Sequence, residues 1–179
     1  AKAEPDGYTL MMINDNHALN PSVFKNIPYD SLKDFAPIGF VGSTPLVLAV
    51  HPSVPAKDVK SLVAIAKEKP GSITYASVGV GSASHLAGAM FGDVAKVELQ
   101  HVPYRGGAPA LIDLLAGHVN TYFLSPVISL ENIKTGKLKA LALAADKRIE
   151  ILSDLPTMAE AGYPVEASYW FGLVDRKST

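Results

Sequence analysis

The 179-residue sequence predicts a doubly wound α/β fold with mostly parallel sheets. Strand-like and helix-like patterns alternate through most of the chain. The run LKALALAA (Leu138–Ala145) is apolar almost throughout, as in a strand covered on both faces. At YASVGVGSASHLAG and VPYRGGAPALIDLL, small residues join the end of a strand to the start of a helix, where an α/β sheet places its ligands.

The elements follow in order. GYTLMMI (Gly7–Ile13) is a short apolar run between turn formers and reads as a buried strand, with the polar NDNHALNPS as the loop it feeds. Leu46–Val50 is β-prone and ends before Pro52. Val59, Leu62, Val63 and Ala66 repeat at helical spacing, with Lys67 and Lys69 at the end and Pro-Gly beyond, which defines an amphipathic helix. SITYAS is a strand, and Leu86, Met90 and Phe91 share a helix face behind Ser82 or Ser84 as N-cap. KVELQHVPY alternates Val97, Leu99 and His101 against Glu98, Gln100 and Val102 and reads as a strand. GGAPALIDLLAGH is a helix closed by Gly117, VNTYFLS a strand, VISLENIKTGK a helix ending at Gly136, and LKALALAA the next strand. LPTMAEAG offers Thr157 as N-cap and Glu160 as its capping-box partner, so it predicts a short helix stopped by Gly162. Asp175–Thr179 carries no packing pattern and is expected to fray. The Pro-rich HPSVPAKD, between two strong elements, is the expected linker between lobes.

Composition narrows the function. A chain with 48% hydrophobic and 18% charged residues has enough apolar material for a core, and a net charge of -1 provides no general attraction to nucleic acid or to an anionic membrane. With no cysteine, disulfides, thiolate catalysis and thiolate metal sites are excluded; the absence of thiols suits an oxidising compartment. No apolar run approaches the roughly 20 residues of a membrane span. The chain opens without an initiator Met and reads as cut from something longer.

The loop between Ser77 and His85 decides among several chemistries. A phosphate loop requires a lysine after its last glycine, and none follows Gly81. The dinucleotide pattern GxGxxG fails because Ser84 stands where its last glycine belongs. A serine nucleophile is the alternative: Ser82 and His85 stand one helical turn apart, and Ser77 is nearby, which would suit an α/β hydrolase or acyl transferase, but the GxSxG turn and an acidic partner are missing. Composition supplies, instead, several free backbone N–H groups at a helix N-terminus, Gly79 and Gly81 for close approach, and hydroxyls from Ser77, Ser82 and Ser84: an anion site without a fixed charge. An ordinary tight turn with a serine cap stays open beside it. Gly106, Gly107 and Ala108 place a second helix N-terminus beside Arg105. The five histidines show no metal-ligand spacing, and no cofactor motif is present.

PDGYTL, NPSVF, YDSLKDFAPIG, ITYASVGVGSASHLAG, VPYRGGAPALIDLLAGHV, GKLKALALAADKR and LPTMAEAG, collinear from about Ala3 to Leu173, resemble the substrate-binding proteins of tripartite tricarboxylate transporters, the Bug family. The resemblance implies a two-lobed periplasmic-binding-protein-like architecture with an incomplete N-terminal lobe. Residues 1–52 would be part of the first lobe, 53–155 the second, and 156–179 a return toward the first with a frayed end. It implies a periplasmic receptor, not an enzyme, that closes on a small mono- or dicarboxylate and hands it to a membrane permease. Asn14 and Asn16 would serve from one lobe, and Ser77, Gly79, Gly81, Ser82, His85, Tyr104, Gly106, Gly107, Ala108 and Ser125 from the other. Asn120 stands where the family usually carries an acidic residue. Missing terminal segments would leave sheet edges and apolar faces open, so either self-association through the first lobe or weakened ligand affinity is expected.

Overall fold

One 16-residue strand, β2 (Phe35–Val50), carries the chain out of one structural unit and into another. The computed structural model describes Glu4 and residues 6–177. Its first unit holds the chain up to Thr44 and from Tyr169 onward, and its second holds Pro45–Ser168.

In the first unit, β1 (Leu10–Asn14) pairs antiparallel with β7 (Ser168–Arg176), with Leu10 opposite Asp175 and Asn14 opposite Phe171. β7 in turn neighbours β2. Helix α1 (Asp15–Val23) follows β1 directly, and His17 on it packs against Tyr29 and, edge-on, Phe35. Three expectations are corrected here. β1 is largely exposed, Leu10 and Met12 among its exposed side chains. NDNHALNPS is mostly helix rather than loop: Asn14 caps it, its side chain accepting from the Asn16 N–H, and Asp15 in the first turn favours the positive helix end. Asp175–Lys177 does not fray, since β7 runs to Arg176 and Lys177 N–H donates to Asp34 O; Ser178 and Thr179 lie outside the described residues.

The second unit is the α/β sheet. Its order is β6 (Lys139–Ala144), the second half of β2, β5 (Thr121–Leu124), β3 (Thr74–Ser77) and β4 (Gln100–Pro103). β3 runs parallel to both β4 and β5, whereas β2 is antiparallel to β5 and β6. The apolar run of β6 is therefore hydrogen-bonded to an antiparallel strand, not a parallel one. β2 arrives from the other unit instead of through a βα crossover, so nothing forces it into the common direction.

Helices α3 (Ala83–Ala95) and α4 (Gly107–Leu115) cover opposite faces of this sheet. Tyr122 of β5 enters the cluster of Ala76, Ala110, Leu114 and Leu138, while its neighbour Phe123 meets Phe91 of α3 edge-on. Successive strand residues point to opposite faces, so the winding is double. α2 (Val59–Glu68) buries the same four residues that its periodicity picks out, behind a capping box of Asp58 and Ser61. α5 (Pro126–Lys134) leads from β5 to β6.

Two further elements are shorter than expected. The strand expected from Lys96 begins only at Gln100, because α3 overruns it: Lys96 takes the left-handed conformation at φ 55° and Val97 N–H closes back on Gly92 O. The Thr157–Glu160 capping box forms, with Thr157 N–H donating to Glu160 Oε2 at 2.7 Å and Glu160 N–H to Thr157 Oγ1 at 3.1 Å, yet the backbone makes a single turn there.

The chain divides into its two compact units at 44/45 and 168/169. HPSVPAKD is part of the second unit's core, since Val54 and Ala56 are buried, His51 N–H donates to Asn120 O, and Lys139 Nζ donates to Val54 O.

Candidate functional site

The parallel trio β4–β3–β5 ends in three loops that each start a helix. Neighbouring strands stand about 4.8 Å apart, so the carboxyl ends of the three strands that feed α4, α3 and α5 span roughly 10 Å at one end of the sheet. None of the three has an acidic residue in its first turn. Their positive ends are left uncompensated, which favours an anion.

The first loop, Val78–Ser82, is built from Ser77 outward. Ser77 is fully buried; its Oγ accepts from Gly79 N–H at 3.1 Å and lies 2.6 Å from His101 Nε2. Gly79 (φ 122°) and Gly81 (φ 81°) take backbone conformations that side chains disfavour. Ser82 caps α3 by accepting His85 N–H at 3.3 Å, and its Oγ donates to Gly79 O at 2.7 Å. Ser84 Oγ accepts from Val78 N–H at 3.1 Å, and Gly81 N–H donates to His85 Nδ1 at 3.1 Å.

This corrects one expectation. The N–H groups of Val78, Gly79, Gly81 and Ser82 are not free; each has an acceptor inside the loop, Ser82 N–H finding Gly79 O at 3.2 Å. A Gly- and Ser-rich loop presents as many acceptors as donors, and buried amides take the acceptors nearest to them.

Beneath the loop lies a cluster that the sequence did not single out. His101 of β4 stacks on Tyr75 of β3 at 4.9 Å and meets His85 of α3 at 4.2 Å between ring centroids. Tyr75 also stacks on His85 at 6.4 Å and packs flat on Gly88. Burial pushes both imidazoles below the ordinary histidine value, and His85 pushes His101 down further; burial raises the Tyr75 phenol. Tyr75 sits opposite His101 in the strand ladder, and that register brings the rings together. The spacing from Ser77 to His101 carries no local motif, so only the pairing of β3 with β4 shows it.

The alternative nucleophile does not assemble. Ser77 faces His101 rather than His85, while Ser82 Oγ spends its proton on Gly79 O and His85 Nδ1 is taken by Gly81 N–H. Burial and His85 are the influences on His101, and no carboxylate of the described residues is among them.

In the second loop, Gly106 (φ 123°) precedes α4 with no side-chain cap, Gly107 opens the helix beside Ile128 and the Tyr122 hydroxyl, and Ala108 is exposed, as is Arg105. Tyr104 N–H donates to Ser77 O at 2.9 Å, tying this loop to the first. The Tyr104 hydroxyl turns instead onto Asp113 Oδ2 at 2.7 Å, and burial first, then this bond, push it up to about 12. Asp113 also meets His118 at 3.3 Å; the bonds from Tyr104 and His118 hold its carboxyl below the usual range. In the third loop, Ser125 caps α5 by accepting Val127 N–H at 3.2 Å.

Asn14 and Asn16 belong to the first unit, where Asn14 is the cap of α1 and Asn16 Oδ1 is buried without a hydrogen-bond partner among the described residues. Asn120 stands before β5, at the opposite end of the strands from these loops, and its Oδ1 accepts from Thr74 N–H at 2.8 Å and Thr74 Oγ1 at 2.9 Å. An acid there could accept the same two bonds. Among the described residues no group of three or more His, Asp or Glu is placed to hold a metal ion, and no helix is long and apolar enough to cross a membrane.

A family model described as tripartite tricarboxylate transporter family receptor matches residues 1–179. Protein BugT of Bordetella pertussis is 36% identical over 182 residues, covering 100% of this chain and 56% of the relative. Among solved structures, Rpa4515 of R. palustris with adipate aligns at a TM-score of 0.95 with 34% identity, covering 99% of this chain and 60% of that one. MatC from Rhodopseudomonas palustris with bound malate aligns at 0.90 with 30% identity, again over 99% and 61%. The chain thus spans little more than half the length of BugT and about 60% of the two solved chains.

Proposed function

This chain belongs to the family of tripartite tricarboxylate transporter receptors, and on that premise we propose that it is the carboxylate-holding part of a periplasmic receptor serving a membrane permease. The family is one of receptors and not of enzymes. The ligand is a small mono- or dicarboxylate. The adipate and malate carried by two similar proteins support that class.

The observation that carries the proposal is the row of three helix N-termini, without an acidic residue in any first turn, along the edge formed by β4, β3 and β5. An anion at one helix end gains about 0.3–1 kcal/mol when exposed and up to about 2 kcal/mol when partly buried. Ser77, Gly79, Gly81, Ser82 and His85 form one wall of the site, Tyr104, Gly106, Gly107 and Ala108 another, and Ser125 the third. Tyr104 acts through its backbone and ring, since its hydroxyl is engaged. Arg105, exposed in the loop before α4, is a cation available to a second carboxylate.

Self-association through the first unit accompanies this function. Its support is the exposure of Leu10, Met12, Ile38, Phe40 and Val41 on the strands of that unit. A single monomer mass in light scattering contradicts that part.

The test of the receptor reading is a thermal-shift series with mono-, di- and tricarboxylates beside neutral amides of the same skeletons. A ligand at about 100 times its Kd stabilises by about 2.7 kcal/mol. A rise in Tm with acids alone supports the reading; equal shifts with acids and amides, or none with either, count against it.

A further inference from the structure

The two histidines under the first loop have a consequence for how an anion binds there. His85 Nδ1 accepts a hydrogen bond from Gly81 N–H, so in this structure that nitrogen carries no proton and the ring proton sits on Nε2. His101 Nε2 meets Ser77 Oγ, which also receives Gly79 N–H. Each glycine amide of the loop is therefore tied to an imidazole, directly at Gly81 and through one hydroxyl at Gly79.

A proton arriving on His85 Nδ1 converts that acceptor into a donor. Two donors then face each other, the Gly81 bond opens, and both N–H groups need a new acceptor. With the rings 4.2 Å apart, a second proton on His101 meets a like charge, so the pair accepts one proton far more readily than two.

We propose that His85 and His101 are positioning residues that couple carboxylate binding to proton uptake: one proton from solvent opens the Gly81–His85 bond, and the anion takes the released Gly81 N–H together with the His85 Nδ1–H. The inference rests on the carboxylate-receptor reading of the same loop. It explains why a loop placed for an anion has its amides closed on internal acceptors. The neutral state is the closed one, and the bound anion stabilises the protonated one.

The surroundings leave this to the two imidazoles. β3 contributes Tyr75, and β4 contributes His101 itself. β5, which also packs on α3, carries Tyr122, whose side chain enters the cluster on the other face. The adjoining turn carries the exposed Arg105 and Tyr104, whose hydroxyl is held by Asp113 of α4. On α3 itself Asp93 stands about two turns beyond His85. Burial lowers both imidazoles, so the ligand-free pair is neutral at neutral pH, and a bound carboxylate raises it again.

The complex then holds more protons than the free protein, and affinity rises as pH falls. With one proton coupled, the association constant changes by up to about tenfold per pH unit between the ligand-free pair's lowered value and the value raised by the bound anion, and levels off at lower pH, where the free pair already holds the proton.

The experiment has two arms on the same chain. Calorimetric titration of adipate and of malate, in two buffers of different ionisation enthalpy between about pH 5 and 8, reads proton uptake and the pH slope. NMR titration without ligand reads the Gly81 amide alongside the ring resonances of His85 and His101. The expected result is proton uptake approaching one per carboxylate and a Gly81 amide that moves with the His85 ring. In His85→Gln the side-chain carbonyl can still accept Gly81 N–H, and binding becomes flat with pH. Carboxylate binding without proton uptake overturns the proposal, as does a Gly81 amide that ignores the ring titration. If neither acid binds at any pH while Gly81 still follows His85, the proton-opened loop stands and the receptor reading fails.

Discussion

Gly88→Ala tests whether the ring stack under the loop is as tightly set as its geometry indicates. A Cβ at Gly88 would lie 2.3 Å from both Cδ2 and Cε2 of Tyr75 and 3.0 Å from Cζ. An ordinary carbon contact is about 3.5 Å, so ring or helix must retreat by more than about 1 Å. Tyr75 has little room, being 5% exposed and stacked on His101. Overpacking of this kind costs about 1–3 kcal/mol, while alanine in a helix interior recovers about 1 kcal/mol relative to glycine. The sum is a net loss reaching about 2 kcal/mol, or a fall in Tm of up to about 4–8 °C for a chain of this size. Denaturant unfolding of Gly88→Ala, Tyr75→Leu and the pair forms a double-mutant cycle in which the smaller side chain relieves the clash. Equal or higher stability for Gly88→Ala, or strict additivity in the cycle, refutes the stack as the constraint.

Ser77→Ala removes the hydroxyl that Gly79 N–H and His101 Nε2 share, leaving a buried donor without an acceptor; a loss of about 1–3 kcal/mol in urea unfolding is expected, with weakened carboxylate binding. Asn120→Asp keeps an acceptor for Thr74 and should stay within about 0.5 kcal/mol of the parent, whereas Asn120→Ala should lose about 1–3 kcal/mol, by the same measurement. Because His85 and His101 are both lowered in the folded state, the unfolded chain binds protons first as pH falls. Stability is therefore full above about pH 6.5 and declines below it, and replacing both histidines with phenylalanine should flatten that part of the Tm–pH curve. A decline of the same size in the double variant removes the histidines as its cause.

The second unit was largely legible because its elements carry their own signals. Val59, Leu62, Val63 and Ala66 mark a helix by spacing, and all four are buried. The small-residue joints after Ser77 and Pro103 do start helices at the carboxyl ends of parallel strands. What escaped depends on partners distant in sequence. β1 has the composition of a core strand, yet its burial depends on a layer that its own residues do not specify. β7 is rich in aromatic and branched residues, Tyr169, Trp170, Phe171 and Val174, which was a usable signal for a strand. His101 reads as one position in an alternating strand until the register with β3 sets it opposite Tyr75 and beside Ser77. Nor does composition tell that loop amides are closed on Ser77, Gly79, Ser84 and His85, since donors and acceptors are counted equally in a sequence.

The most direct test of the account is a two-dimensional amide NMR titration of this chain with adipate near pH 6. Saturable shifts are expected at Val78–Ser82, Arg105–Ala108 and Ser125–Val127, the three loops that begin α3, α4 and α5. Saturable shifts confined to other residues, or none at any adipate concentration, contradict it.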